Sequence, residues 1–225
     1  MALLTVMVVL LLSTLLLLWA SRTALFNEMV TGNDSDYQRT LEAAHAMVRD
    51  AEFDIQQQRP DGSACASAGF TGCRADNTSI GRVRFPSSES EFDDLHTALA
   101  AQVPSCRDGV CVVAKVRDGF WTQSTGAQGL DAMKKVASTY GRHTGAIPAN
   151  DGNPLLKSGA TVRAWYWIEV LPYDSSAAIS GGAAHAFAPD GDRPFVYRIT
   201  AVAQGLKTGT QATVQSTLVW RKVGS

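Results

Sequence analysis

The sequence predicts an α+β protein in which a long N-terminal α-helix packs on a C-terminal antiparallel β-sheet. Three observations point there. Residues 1–21 are almost wholly apolar, with no charge before Arg22. From Ser21 to Gln58 there is no proline, and apolar residues return at helical steps. After residue 160, three segments alternate with the two-residue rhythm of strands.

The opening run, Met1-Ala-Leu-Leu-Thr-Val-Met-Val-Val onward, is long enough to cross a bilayer core as a helix, which takes about 20 apolar residues. Charged side chains are strongly disfavoured there, so their absence before Arg22 has a physical reason. A cleaved secretory signal fits poorly. No Lys or Arg precedes the run, it is too long, and Leu18-Trp19-Ala20 puts leucine where a signal peptidase wants a small residue. Two readings of these residues stay open: a simple membrane anchor, or an assembly helix whose short basic leader has been removed.

Past Arg22 the helix signal becomes one-sided. Tyr37, Leu41, Ala44, Val48, Ala51 and Ile55 recur at alternating four- and three-residue steps and draw a single stripe. Asp36, Arg39, Glu42, Arg49, Asp50, Glu52 and Asp54 lie off it, which reads as a solvated face with Arg49 and Glu52 paired one turn apart. The one weak place is Gly32-Asn33, where Ser35 and Gln38 offer a new capping box. Taken as continuous, the element is a rod of roughly 90 Å. Three parts follow: 1–21 as the transmembrane half, 22–58 as the amphipathic half, and 59–225 as the head.

The head begins with a Gly/Ser/Asp/Asn/Arg-rich stretch over 60–90 that reads as loop. All four cysteines lie outside the apolar run, an even count that reads as disulfides in an exported domain. Four cysteines allow three pairings. The short spacings favour Cys65 with Cys73 and Cys106 with Cys111. Zinc is the weaker alternative, since no C-x-x-C spacing or His pair is present. Glu91–Gln102 is expected to be a short helix stopped by Pro104, Val110–Val116 a strand, and Leu130–Tyr140 another short helix. Thr161–Leu171, Phe195–Ala203 and Gln211–Arg221 are expected strands, the last two joined as a hairpin over Lys207-Thr208-Gly209-Thr210. Asp174–Pro194 reads as an exposed excursion. About 200 residues beyond the apolar run suffice for one compact domain.

At both ends the chain resembles the type IV pilus minor pilins of the PilX family. The opening ten residues are similar to that family's mature start. Arg22-Thr-Ala-Leu-Phe-Asn-Glu-Met-Val-Thr-Gly-Asn33, Leu41-Glu-Ala-Ala44 and Arg49-Asp-Ala-Glu52 are similar to its N-terminal signature. Trp167-Ile-Glu-Val-Leu-Pro172, Tyr197-Arg-Ile-Thr-Ala201 and Val214-Gln-Ser-Thr217 resemble its C-terminal strands. The resemblance implies a pilin-like fold and a part in pilus assembly. It implies other minor pilins, the major pilin and a tip adhesin as partners. It also implies an inner-membrane location with Met1 on the cytoplasmic side and the head in the periplasm, before transfer to the pilus.

Most pilins carry glutamate at the fifth mature position, where this chain has Thr5. That carboxylate is thought to meet the α-amino group of the subunit ahead. An acid with no such partner is costly in hydrocarbon, so Thr5 suits a subunit at the tip; the bland alternative is a tolerated small residue. Met1 and Thr5 are therefore the expected processing and assembly positions. Trp165 and Trp167 share one side of a strand. Left uncovered, they would form an aromatic patch for a partner pilin; core packing is the alternative.

Other chemistry is sparse. His45, His96, His143 and His185 are scattered and read as surface or helix histidines. Asn150-Asp-Gly-Asn153 and Asp190-Gly-Asp192 lack the glutamate that closes a calcium loop and read as turns. No catalytic motif, cofactor motif or metal set is expected. A net charge of −1 gives no reason to expect nucleic acid. The reading is a minor pilin that primes and tips type IV pilus assembly. Alternatives are a minor pseudopilin of a type II secretion system, a signal-anchored binding domain and an anchored periplasmic enzyme.

Overall fold

The computed structural model describes residues 2–65, 70–74, 83–112, 119–157, 159, 161–173, 188–189 and 194–220. Met1, residues 113–116 of one expected strand, His185, Asp190-Gly-Asp192, Arg221 and nearly all of the 174–194 excursion lie outside them.

Helix α1 runs unbroken over Ala2–Gln56, about 80 Å at the α-helical rise. It ends in a left-handed residue, Gln57, at φ 56°. There Gln58 N–H bonds Phe53 O at 2.9 Å and Gln57 N–H bonds Asp54 O at 3.2 Å, the paired bonds of a Schellman stop. Gly32-Asn33 is no joint. The helix passes through it, and the Ser35–Gln38 capping box is not used. Arg49 and Glu52 do pair, at 3.6 Å.

The buried face of α1 departs from the expected stripe. Ala44, Val48, Ala51 and Ile55 are buried, but so are Asp36, Thr40, Ala43, Met47, Asp50 and Asp54, while Tyr37 is exposed. Three of the acids assigned to a solvated face are therefore interior. Their row has the same spacing as the apolar one, displaced by a single residue, and its polar composition hides it from hydropathy.

The sheet has five strands in spatial order β1-β2-β3-β4-β5: β1 Cys106–Arg107, β2 Val110–Val112, β3 Ala164–Pro172, β4 Phe195–Gln204 and β5 Gln211–Val219. The three long strands pair antiparallel, as expected, with Ile168 opposite Ile199 and Ile199 opposite Ser216. The whole sheet is mixed, because β2 joins β3 in parallel. Tyr173 N–H bonds Pro194 O at 2.8 Å, closing the base of the β3–β4 excursion.

Helix α2 spans Glu89–Ala100. It starts two residues earlier than expected because Ser88 caps it, accepting from Glu91 N–H at 3.3 Å, while the Glu91 carboxylate reaches back to Ser87 N–H at 2.7 Å. Helix α3 is Leu130–Lys135, shorter than expected. After it the chain turns to bridge β3, with Ser138 opposite Tyr166.

One face of the sheet packs on α1 through Tyr166, Ile168, Val170, Phe195, Tyr197, Ile199 and Ala201. The other face carries a second core of Phe120, Leu130, Met133, Trp165, Trp167 and Val202. The central strands are thus buried on both sides.

Candidate assembly interface and its anchoring network

Every residue from Ala2 to Thr31 on α1 is exposed, including Leu3, Val9, Leu12, Leu17, Phe26 and Val30. The first part of α1 is long and apolar enough to cross a membrane. Three hydroxyls of its apolar run bond back to the helix. Thr5 Oγ1 donates to Ala2 O at 2.8 Å, Ser13 Oγ to Val9 O at 2.8 Å, and Thr14 Oγ1 to Leu11 O at 2.9 Å. Such back-bonding satisfies these three hydroxyl donors within the helix itself. Among the described residues this segment packs on nothing in its own chain.

The helix meets the head at Asp36. Its carboxylate accepts from Leu206 N–H and Lys207 N–H, both at 3.0 Å, in the β4–β5 turn. Burial opposes the charge of Asp36, but these two amides together with the Thr210 hydroxyl and the Arg39 cation outweigh it and hold the carboxyl below its usual range. Lys207 Nζ reaches Asn33 Oδ1 at 2.9 Å. A Cβ on Gly32 would stand 2.7 Å from Lys207 Nζ, the tip of a flexible side chain that can move aside. Gly205 is the constrained glycine: a Cβ there would collide with Asp36 Oδ2 and Thr210. Further along, Asn153 Nδ2 donates to Arg39 O at 2.7 Å, while its Oδ1 caps a short 3₁₀ turn at Leu155 N. Asn153 is a turn residue and helix anchor in one.

A buried polar network locks the upper helix. Arg74 Nε donates to both oxygens of Asp54, at 2.8 and 2.9 Å, and Nη1 donates to Val83 O at 3.0 Å. Tyr166 O–H donates to Asp54 Oδ2 at 2.9 Å. Burial and the neighbouring acids Asp54 and Asp50 push the Tyr166 hydroxyl well above its ordinary range. Asp50 accepts from Gly141 N–H at 2.8 Å and from the Thr144 hydroxyl. Burial nevertheless raises the Asp50 carboxyl to about 6.

His143 bonds Ser138 Oγ through Nε2 at 3.0 Å and Gly72 O through Nδ1 at 3.2 Å. Burial and the Arg74 cation lower it to about 4, so at neutral pH Nδ1–H donates to Gly72 O; the single Ser138 hydroxyl proton lies between His143 Nε2 and Asp108 O, to which Ser138 Oγ donates at 2.7 Å. His143 is thus no surface histidine. Short contacts from widely separated segments enclose it, which no local pattern around residue 143 announces. Buried together, Ser138 and His143 offer no reachable nucleophile.

Cys65–Cys73 and Cys106–Cys111 are the bonded pairs. The first ties the loop that presents Gly72 and Arg74 to the network, and the second staples the β1–β2 hairpin. Trp165 and Trp167 are not an open patch. They are 7% and 1% exposed, with the Phe120 ring 4.8 Å from that of Trp167 and Trp167 Nε1 donating to Met133 O at 3.1 Å. The cover comes from 120–137, a stretch whose sequence gives little warning that it folds back over the sheet. Among the described residues no group of His, Cys, Asp and Glu side chains could hold a metal.

The fold and its bare spine define a class: a pilin-like α+β protein whose exposed N-terminal half-helix is long and apolar enough to cross a membrane. A family profile described as type IV pilus assembly protein PilX, C-terminal, matches residues 65–219. That is more than half of the chain, which therefore belongs to the PilX family of type IV pilus assembly proteins. No curated protein and no solved structure matches it significantly. The matched stretch begins at Cys65, so it comprises the head and leaves α1 outside.

Proposed function

We propose that the protein is a minor pilin that primes type IV pilus assembly and occupies its tip. The family match supports a minor pilin of the pilus apparatus. The priming role rests on one observation: an exposed apolar half-helix continuous with a helix locked to its head by Asp36, Asp50 and Asp54. Such a spine is held in the inner membrane first and then buried among neighbouring helices. The head, in the periplasm and later at the cell surface, makes lateral contacts with other minor pilins, the major pilin and a tip adhesin.

Thr5 belongs to the same reading as an assembly position with no carboxylate to neutralise. Introducing the acid by Thr5→Glu is expected to shift the subunit away from the tip in immunogold images of sheared pili. Unchanged tip labelling and pilus number would remove the argument. Mass spectrometry of the protein from pili is expected to find Met1 as a methylated N-terminus. Leu11→Arg, inside the apolar run, is expected to abolish piliation while leaving the head's thermal transition in place; normal piliation would end the priming proposal.

A further inference from the structure

The two edges of the sheet differ in kind. On one side β1 is only two residues long and is tied back to β2 by Cys106–Cys111. That is a blunted edge, of the sort that discourages further pairing. On the other side β5 runs nine residues, Gln-Ala-Thr-Val-Gln-Ser-Thr-Leu-Val, with no charge, proline or glycine. Among the described residues its only strand neighbour is β4.

The register tells which backbone groups face outward. Gln204 N–H points away from β5, donating to Arg163 O at 2.8 Å, while Gly205 N–H donates to Thr210 O at 2.9 Å. The Gln204–Gln211 pair is therefore a non-hydrogen-bonded one, and pairs alternate from there. Gln211, Thr213, Gln215, Thr217 and Val219 accordingly turn their N–H and C=O groups away from the sheet. Gln215 and Thr217 are exposed, and no described backbone group outside β4 bonds these residues.

We propose that β5 is a strand-addition site that receives an extended, uncharged segment of another pilus component. Its sides fix the segment's chemistry. Ala212, Val214 and Leu218 face the α1 layer, and Thr213, Gln215 and Thr217 face the other way, so the incoming strand alternates apolar and small polar residues. A charged strand would find no counter-ion on β5. A second copy of this chain does not fit the antiparallel mode. A two-fold axis across two β5 strands would turn the two α1 spines in opposite directions, while one membrane must hold both. The choice of another pilus component rests on the assembly role proposed above; the edge itself does not.

The test uses the full chain in detergent micelles and an end-capped heptapeptide of alternating threonine and valine. The peptide is expected to slow hydrogen exchange in segment 211–219 by about tenfold. The same peptide with a central proline is expected to do nothing. Thr217→Pro removes one outward N–H without touching the ladder to β4 and is expected to abolish the slowing, while Thr217→Ala keeps it. Thr217→Lys, which retains the backbone donor, guards against misfolding of the proline variant and is expected to weaken the effect. No slowing, or equal slowing in Thr217→Pro, overturns the proposal. Protection of 211–219 that grows with protein concentration and needs no peptide overturns it in favour of self-pairing. In cells Thr217→Pro is expected to reduce piliation. Normal pili there, with pili lost in Leu11→Arg, would sink the edge contact and leave the assembly role standing.

Discussion

Asp54 and Arg74 form a charge pair with almost no solvent on either side chain. Deleting one member strands the other, so Asp54→Ala is expected to destabilise the head by about 3–5 kcal/mol in urea unfolding. Asp50 and His143 act in opposite directions on acidification. The Asp50 carboxyl, raised from 3.8 to about 6, takes its proton first in the folded state. Its contribution therefore opposes folding above pH 6 and is relieved as pH falls towards 4. His143, lowered from 6.5 to about 4, stays neutral when folded while its unfolded counterpart protonates. Its contribution is lost as pH falls through the same window. Each effect amounts to about 3 kcal/mol, so the two nearly offset. Asp50→Asn is expected to unmask a loss of stability as pH falls from 6.5 to 4, and His143→Gln to unmask a gain over the same window. Parallel urea midpoints in the two variants would contradict both assignments. The network also includes Arg74, Asp54 and Tyr166, and neither variant replaces any of them.

At the scale of elements, the contact between α1 and the sheet is made close by small residues. Ala43, Ala44 and Ala51 are fully buried against β3, β4 and β5. Ala51→Leu would force side chains and backbone apart and is expected to lower stability by about 1–3 kcal/mol. The Cys106–Cys111 staple closes a short loop, so its removal by Cys106→Ala with Cys111→Ala is expected to cost about 2 kcal/mol. A thermal scan of the oxidised and cysteine-free chains would check it. Most elements were legible beforehand. The alternation in β3, β4 and β5 announced their strands, and proline-free periodicity announced α1. The parallel docking of β2 was not, since Val110–Val112 carries no mark of its partner's direction.

For the whole molecule, rigidity of the spine is the property on which the proposed assembly role depends. Between the membrane run and Asp36 lies a bare stretch of helix with Leu25, Phe26, Met29 and Val30 exposed. Inserting four glycines after Val30 is expected to leave the head's unfolding unchanged and to abolish piliation, because a loose joint no longer transmits the docked orientation of the helix to the head. Pili of normal number from that variant would refute the mechanical coupling.

By itself the sequence determined the length of the spine and its apolar first half, the three long strands and a resemblance at both ends of the chain, and it favoured the pairing of neighbouring cysteines. Each rests on local periodicity or spacing, which a linear reading can see. Only the tertiary structure decided that Asp36, Asp50 and Asp54 face inward, that His143 is interior, and that residues 120–137 bury Trp165 and Trp167. An acid and a solvated acid look alike in sequence; partners such as Arg74, Gly141 and Lys207, distant along the chain, make burial tolerable, and folding alone brings them within reach.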